Sequence, residues 1–273
     1  PASGNRIRTQ SVGAGPRVLT TPPFTVDLAL LTEAGGGGAV PASNHPDTCG
    51  VFRPSDGTLY LRNSNTSGYA DVAIFYGMPG DSPVTGDWDG NGTDTIGIYR
   101  GGAFYLRNSN TSGYAEIWFG FGSPGDQPIA GDWNGDGIDT VGVFRNGIFS
   151  LRDANSAGPA NHSLWLGTAG DVGIAGDWNG TGVDTCGVYR PADGGLYLRF
   201  SNTTGYADVA IFYGTAGDLP VTGDWDGNGT DTIGVYRRGS FLLRNSNTAG
   251  YAEIGFSLGI VGDRPLAGDW DGQ

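Results

Sequence analysis

The sequence predicts an all-β fold: a five-bladed β-propeller of four-stranded antiparallel blades, closed by its C-terminal strand and preceded by an extended N-terminal arm. Three observations carry this. A segment of about 46 residues recurs from Asp47 to the end of the 273-residue chain, a period typical of propellers and solenoids. Each copy holds four short strand-like runs separated by turn signals, the anatomy of one blade. The two ends are also complementary. Strands ending in Gly-Asp-Trp place tryptophans at Trp88, Trp133, Trp178, Trp225 and Trp270, while the strands that should follow begin at Thr48, Thr95, Thr140, Thr185 and Thr232. Thr48 has no Gly-Asp-Trp strand before it, so Pro265–Trp270 is its missing partner, and closing the ring that way removes two open sheet edges.

The chain divides into residues 1–45, an arm, and 46–273, the propeller. In the arm, Arg17–Thr21 and Phe24–Leu31 read as extended, with Phe24, Val26, Leu28 and Leu30 on one face. Gly35–Gly38 then forms a flexible tether. A strand without a partner in its own ring is a lid, an assembly arm for a second copy, or a loose tail.

In the second unit the four strands are Pro83–Trp88, Thr95–Arg100, Ala103–Arg107 and Ala115–Phe121. An acidic loop, a Gly101-Gly102 turn and the run Asn108–Gly113 join them. A longer period overlies this one. The first and fourth units resemble each other most, as do the second and fifth, at an offset of 137 residues from Asp47 to Asp184. Duplication of a three-unit block explains that offset, although the present ends match as five.

Composition narrows the function classes. Glycine supplies 51 residues, well above the usual ~7%, and serves tight turns. Net charge is −13, divided as +1 on residues 1–45 and −14 on the remainder. An acidic body disfavours nucleic acid and favours cations. No apolar run approaches the ~20 residues of a membrane helix. All 15 basic residues are arginines, which suit bidentate pairing with carboxylates. A chain that begins at Pro1 with its single methionine at Met78 is expected to have lost an initiator and a signal peptide, favouring an extracellular or cell-surface location. Cys49 and Cys186 occupy the position of Ile96, Val141 and Ile233 in different units. They are expected as small buried residues too far apart for a disulfide.

The acidic loop is the most faithfully repeated feature: Gly86-Asp87-Trp88-Asp89-Gly90-Asn91-Gly92-Thr93-Asp94-Thr95-Ile96-Gly97-Ile98-Tyr99-Arg100. With its recurrences through residues 47–273, it resembles the FG-GAP and VCBS-type repeats of integrin-like β-propellers. That resemblance implies calcium, which takes 6 to 8 oxygen ligands. Asp87, Asp89 and Asn91 would offer side-chain oxygens and Thr93 its carbonyl. The equivalent sets are Asp132, Asn134, Asp136 and Ile138; Asp177, Asn179, Thr181 and Val183; and Asp224, Asp226, Asn228 and Thr230. The fifth set combines Asp269, Asp271 and Gln273 with Asp47 from the other end. The resembled family commonly places a closing carboxylate just before the apolar residue. Here Thr95, Thr140, Thr185 and Thr232 stand there, and Asp94, Asp139, Asp184 and Asp231 come one position earlier, where alternation along a strand points them away. The alternative is a metal-free turn in which the aspartates accept backbone N–H groups. Asn179 and Thr181 give their loop the fewest charges.

Two further arginine series, Arg53, Arg100, Arg145, Arg190 and Arg237, and Arg62, Arg107, Arg152, Arg199 and Arg244, are expected to form inter-blade salt bridges with the Gly-Asp turns. The tryptophans are expected to wedge between blades. Asn65, Asn110, Asn161 and Asn202 begin N-glycosylation triplets that read first as turn chemistry, with glycans the alternative. The histidines His45 and His162 lie outside any repeated constellation, and fivefold carboxylates do not make one asymmetric catalytic pair, so the chain is not expected to be an enzyme. The resulting expectation is an extracellular, calcium-stabilised structural or adhesive propeller, self-associating into an oligomer or filament through residues 1–45. The alternative is a lectin with multivalent inter-blade sites.

Overall fold

The computed structural model describes residues 45–272; the arm with Phe24, Val26, Leu28 and Leu30, and Gln273, lie outside them. Twenty strands form five antiparallel sheets of four. In chain order they are β1 (Thr48–Arg53), β2 (Thr58–Leu61), β3 (Val72–Phe75), β4 (Ser82–Gly86), β5 (Thr95–Arg100), β6 (Ala103–Leu106), β7 (Ile117–Gly120), β8 (Gln127–Gly131), β9 (Thr140–Arg145) and β10 (Ile148–Leu151). There follow β11 (His162–Trp165), β12 (Val172–Gly176), β13 (Thr185–Arg190), β14 (Gly195–Leu198), β15 (Val209–Phe212), β16 (Leu219–Gly223), β17 (Thr232–Arg237), β18 (Ser240–Leu243), β19 (Ile254–Ser257) and β20 (Arg264–Gly268). Blades 2 to 5 are β4–β7, β8–β11, β12–β15 and β16–β19, and blade 1 is β20-β1-β2-β3. The innermost strands β4, β8, β12, β16 and β20 contact one another in a ring, so the fold is a closed five-bladed propeller.

Closure occurs where the sequence ends predict it, with Thr48 opposite Gly268, Gly50 opposite Leu266 and Phe52 opposite Arg264. The second strand of each blade is as expected, Thr95–Arg100 included, because it is buried on both faces. The first strand stops at Gly86 rather than Trp88, since Asp87 and Trp88 already belong to the loop. The fourth narrows to Ile117–Gly120, exposing alternate residues at the blade edge.

Each tryptophan of the Gly-Asp-Trp series wedges between blades. Trp88 packs with Val84, Phe104 and Phe119 of its own blade and with Val141 and Val143 of the next. Trp133 does the same against Cys186 and Val188. Cys49 and Cys186 are buried and free, in blades 1 and 4. Three tight hairpins turn through left-handed backbone at Gly101-Gly102, Asn146-Gly147 and Arg238-Gly239. Among the described residues there is no helix, and so none long and apolar enough to cross a membrane.

Candidate functional site

The repeated loop motif resolves into four mechanical roles. Its first aspartate folds the loop: Asp87 Oδ1 accepts the N–H groups of Gly90 and Asn91 at 2.8 and 3.0 Å, and Oδ2 accepts that of Gly92 at 2.7 Å. Asp132 does likewise for Gly135, Asp136 and Gly137, Asp177 for Gly182, Asp224 for Asn228 and Gly229, and Asp269 for Gly272. Asn91 and Asn228 accept the N–H of Thr93 and Thr230, Asp136 that of Ile138, and Asn179 accepts the Thr181 hydroxyl. Asp89, Asp226 and Asp271 are exposed at the loop rim, as are Asn134 and Thr181, and Val183 is half-buried. Burial raises the pKa of Asp87, with the Asp89 charge adding to it against three N–H donors that lower it. Among the described residues no three His, Cys, Asp or Glu side chains converge as a metal cage.

The second aspartate serves a different loop from its own. Asp139 Oδ2 accepts the Asp87 N–H at 2.9 Å while the Asp139 N–H donates to the Asp87 carbonyl, also at 2.9 Å. The same reciprocal pair joins Asp184 to Asp132, Asp231 to Asp177, Asp47 to Asp224 and Asp94 to Asp269. The sequence groups Asp94 with Asp87; the structure places Asp139 there instead, because each such aspartate immediately precedes the second strand of its blade and bonds back to the loop of the preceding blade. The glycine of Gly-Asp-Trp makes room for it, since a Cβ on Gly86 would stand 2.8 Å from Asp139 Oδ2. The following threonine then closes the loop through Thr95 Oγ1 to the Gly86 carbonyl at 3.3 Å.

Together Asp47, Asp94, Asp139, Asp184 and Asp231 form a half-buried carboxylate ring around the central channel. The ring divides the channel into a part of about 270 Å³ walled by the five innermost strands and a part of about 240 Å³ lined by the acidic loops and His45. Burial, followed by mutual repulsion, pushes Asp47, Asp139 and Asp184 well above the usual carboxylate range. Burial likewise carries Asp94 to about 7 and Asp231 to about 6.

The arginines need correction. Arg100 grips Asp81 through two 2.6 Å bonds, and Arg53, Arg145, Arg190 and Arg237 grip Asp263, Asp126, Asp171 and Asp218. Each bridge pins the linker arriving from the preceding blade onto the blade's own second strand, rather than spanning two sheets. The other series organises its own outer loop: Arg107 donates to the Tyr114 carbonyl at 2.5 Å and to Thr111 at 2.9 Å. Sequence spacing shows the period of an arginine but not which wall it faces. The glycosylation triplets also divide. Asn65, Asn110 and Asn202 spend their amide nitrogens on the carbonyls of Asp47, Asp94 and Asp184 at 2.8 Å, whereas Asn161 is exposed.

Sequence reasoning missed the rim. Tyr69, Tyr114, Tyr206 and Tyr251 occupy equivalent positions in the outer loops and are 93–95% exposed. Phe75, Trp118, Trp165 and Phe212 on the outermost strands are 60–65% exposed. A groove of about 610 Å³ between blades 3 and 4 is lined by Arg190, Tyr197, Thr204 and Tyr206 on one wall and Trp165–Thr168 on the other. The usable signal was a tyrosine repeated inside a Gly-Tyr-Ala loop, where no core is available to receive it.

No protein-family model and no curated protein matches the chain. Among solved structures, it is similar to one described as the crystal structure of BBS1N in complex with ARL6DN, soaked with mercury, with a TM-score of 0.39 and 11% identity. The match covers 77% of this chain and 62% of that one, so the chain spans under two thirds of the neighbour's length. Likeness at this level carries nothing about ligand or partner.

Proposed function

We propose that this chain is an extracellular adhesive propeller that binds its target at several equivalent points. The observation that carries the reading is the set of four tyrosines standing almost fully in solvent on a closed, rigid ring. Large exposed aromatics are costly to leave in water and mark contact surfaces, and repetition on one scaffold gives avidity from individually weak contacts. Two forms of adhesion fit: a structural role through self-assembly, and a lectin. The inter-blade groove, with aromatic walls beside an arginine and a threonine, favours carbohydrate.

Two further elements belong to the proposal. Calcium in the acidic loops, as the FG-GAP and VCBS resemblance implies, is supported by fivefold recurrence and by the exposed Asp89, Asp226 and Asp271 carboxylates beside the folded turns. Binding to the native state alone raises stability by mass action, so a chelator should lower the melting temperature and an unchanged melt would remove calcium from the account. Self-association through residues 1–45 is supported by the one-sided Phe24, Val26, Leu28 and Leu30 pattern and by opposite net charge on arm and body. Deleting residues 1–34 should abolish assemblies seen by light scattering.

The adhesive reading is tested by probing an array of immobilised glycans and extracellular matrix proteins with the intact chain in calcium, beside a variant carrying Tyr→Ala at all four rim positions. Binding that falls at least tenfold in the variant is expected. Equal binding by both chains would contradict the reading.

A further inference from the structure

The five inter-blade walls are equivalent in backbone but not in chemistry. On the wall of blade 4 that faces blade 3, the guanidinium of Arg190 lies 4.5 Å from the ring centroid of Tyr197. Tyr197 in turn meets Phe212 edge-on at 6.4 Å. The strand register explains this ladder: Arg190 lies opposite Gly195 and Gly195 opposite Phe212, with Tyr197 two residues along on the same face. At Gly195 a Cβ would meet Asp193 Oδ1 and the Tyr197 ring, both at 2.9 Å. Blade 2 builds a shifted version, with Arg100 5.4 Å from Tyr105 and Trp118 directly across from Tyr105 at 6.3 Å, where blade 4 has Ala210. Blade 1 has Arg53 4.5 Å from Tyr60, with Phe75 on the same face by register. These are the three cation–π contacts among the described residues. In blade 3 the middle rung is Ser150, and in blade 5 it is Leu242.

Each complete ladder offers two kinds of contact. Arg53, Arg100 and Arg190 spend Nε and Nη2 on their aspartates, and Nη1 has no partner among the described residues, leaving donors for a ligand oxygen. Phe75, Trp118 and Phe212 hold an exposed aromatic surface, which attracts the apolar C–H face of a ring. The charge of the arginine is neutralised by its own carboxylate, and the body as a whole is acidic, so an anionic ligand is disfavoured. A hydroxylated ring without charge meets all three conditions. Resting on the carbohydrate form of the adhesive reading, we infer that blades 1, 2 and 4 each carry a site for a neutral pyranose, and that blades 3 and 5 do not.

Trp118 and Trp165 make the test direct, since they are the exposed tryptophans of the described residues while the Gly-Asp-Trp series is buried. Trp118 belongs to a complete ladder, whereas Trp165, on a broken one, also lines the groove of blade 4, so Trp118 is the residue read. The probes are the methyl glycosides of galactose, glucose and mannose, and N-acetylglucosamine, titrated into the full chain. With at least one of them, a saturable fluorescence change is expected in Trp165→Phe, and it should be lost when Tyr105→Leu is added. Calorimetry should count three sites per chain, and Tyr105→Ala or Tyr197→Ala should each leave two, with Leu242→Ala leaving three. Saccharide binding with five equal sites, or a Trp118 response that survives Tyr105→Leu, would overturn the site assignment while leaving the carbohydrate reading standing. Absence of binding by every probe would overturn both. Leucine is the residue that blade 5 carries at this rung, as Leu242, so the fluorescence result does not depend on tolerance of the alanine substitutions.

Discussion

At the scale of single residues, the repeat encodes a set of small spatial requirements. Gly86 is glycine because Asp139 of the next blade occupies the space a side chain would fill, and Asp87 is aspartate because three amides need an acceptor. One residue departs from its counterparts. Arg238 stands at φ 49° in a hairpin whose equivalents hold Gly101 and Asn146, and a long side chain pays for left-handed backbone that asparagine tolerates. Arg238→Asn should therefore stabilise the fold by about 0.5–1 kcal/mol, read as a higher urea midpoint at unchanged slope.

Among elements, the closure of the ring is the most exposed to failure, because β20 and β1 meet without covalent continuity. Arg53 grips Asp263 at 2.8 and 3.0 Å, and the Asp263 side chain is 2% exposed. Arg53→Ala strands a buried carboxylate and should cost on the order of 3 kcal/mol. Hydrogen exchange should accelerate first in Arg264–Gly268, whereas Arg100→Ala, in a blade of continuous chain, should spread its effect over the whole fold. The closure was legible in the sequence because it follows from counting strands at the two ends. The interior strand Thr95–Arg100 was legible because burial on both faces leaves an unbroken apolar run. The wall chemistry was not: Tyr105 and Trp118 read as ordinary strand residues, and only the register reveals that they share a face with Arg100. The destination of Asp139 was hidden for the same reason, since a motif repeated at one spacing looks the same whether it closes its own loop or its neighbour's.

For the whole molecule, the carboxylate ring sets a pH dependence. In the unfolded chain aspartates lose their protons near pH 4, whereas in the ring burial holds them longer, to about 6 at Asp231 and about 7 at Asp94. Over that interval the folded state binds more protons than the unfolded, so stability falls as pH rises from about 4 to about 7. In chelator, Asp139→Asn should be more stable than the parent at pH 8 and indistinguishable from it at pH 4, because burial and neighbouring carboxylates raise the Asp139 carboxyl and the change removes a charge that is costly in the fold. Urea titrations at the two pH values check this, and a gain of equal size at both would contradict it.

The proposed multivalent adhesion has one consequence that single-site binding lacks: it cross-links. Beads coated with neutral-glycan neoglycoproteins should agglutinate in the presence of the purified chain. A competing free pyranoside should disperse them, and the variant with Tyr69, Tyr114, Tyr206 and Tyr251 all changed to alanine should need at least tenfold more protein. Beads that bind the chain yet stay dispersed at every protein concentration, or that agglutinate equally with the variant, would contradict multivalent adhesion through this rim.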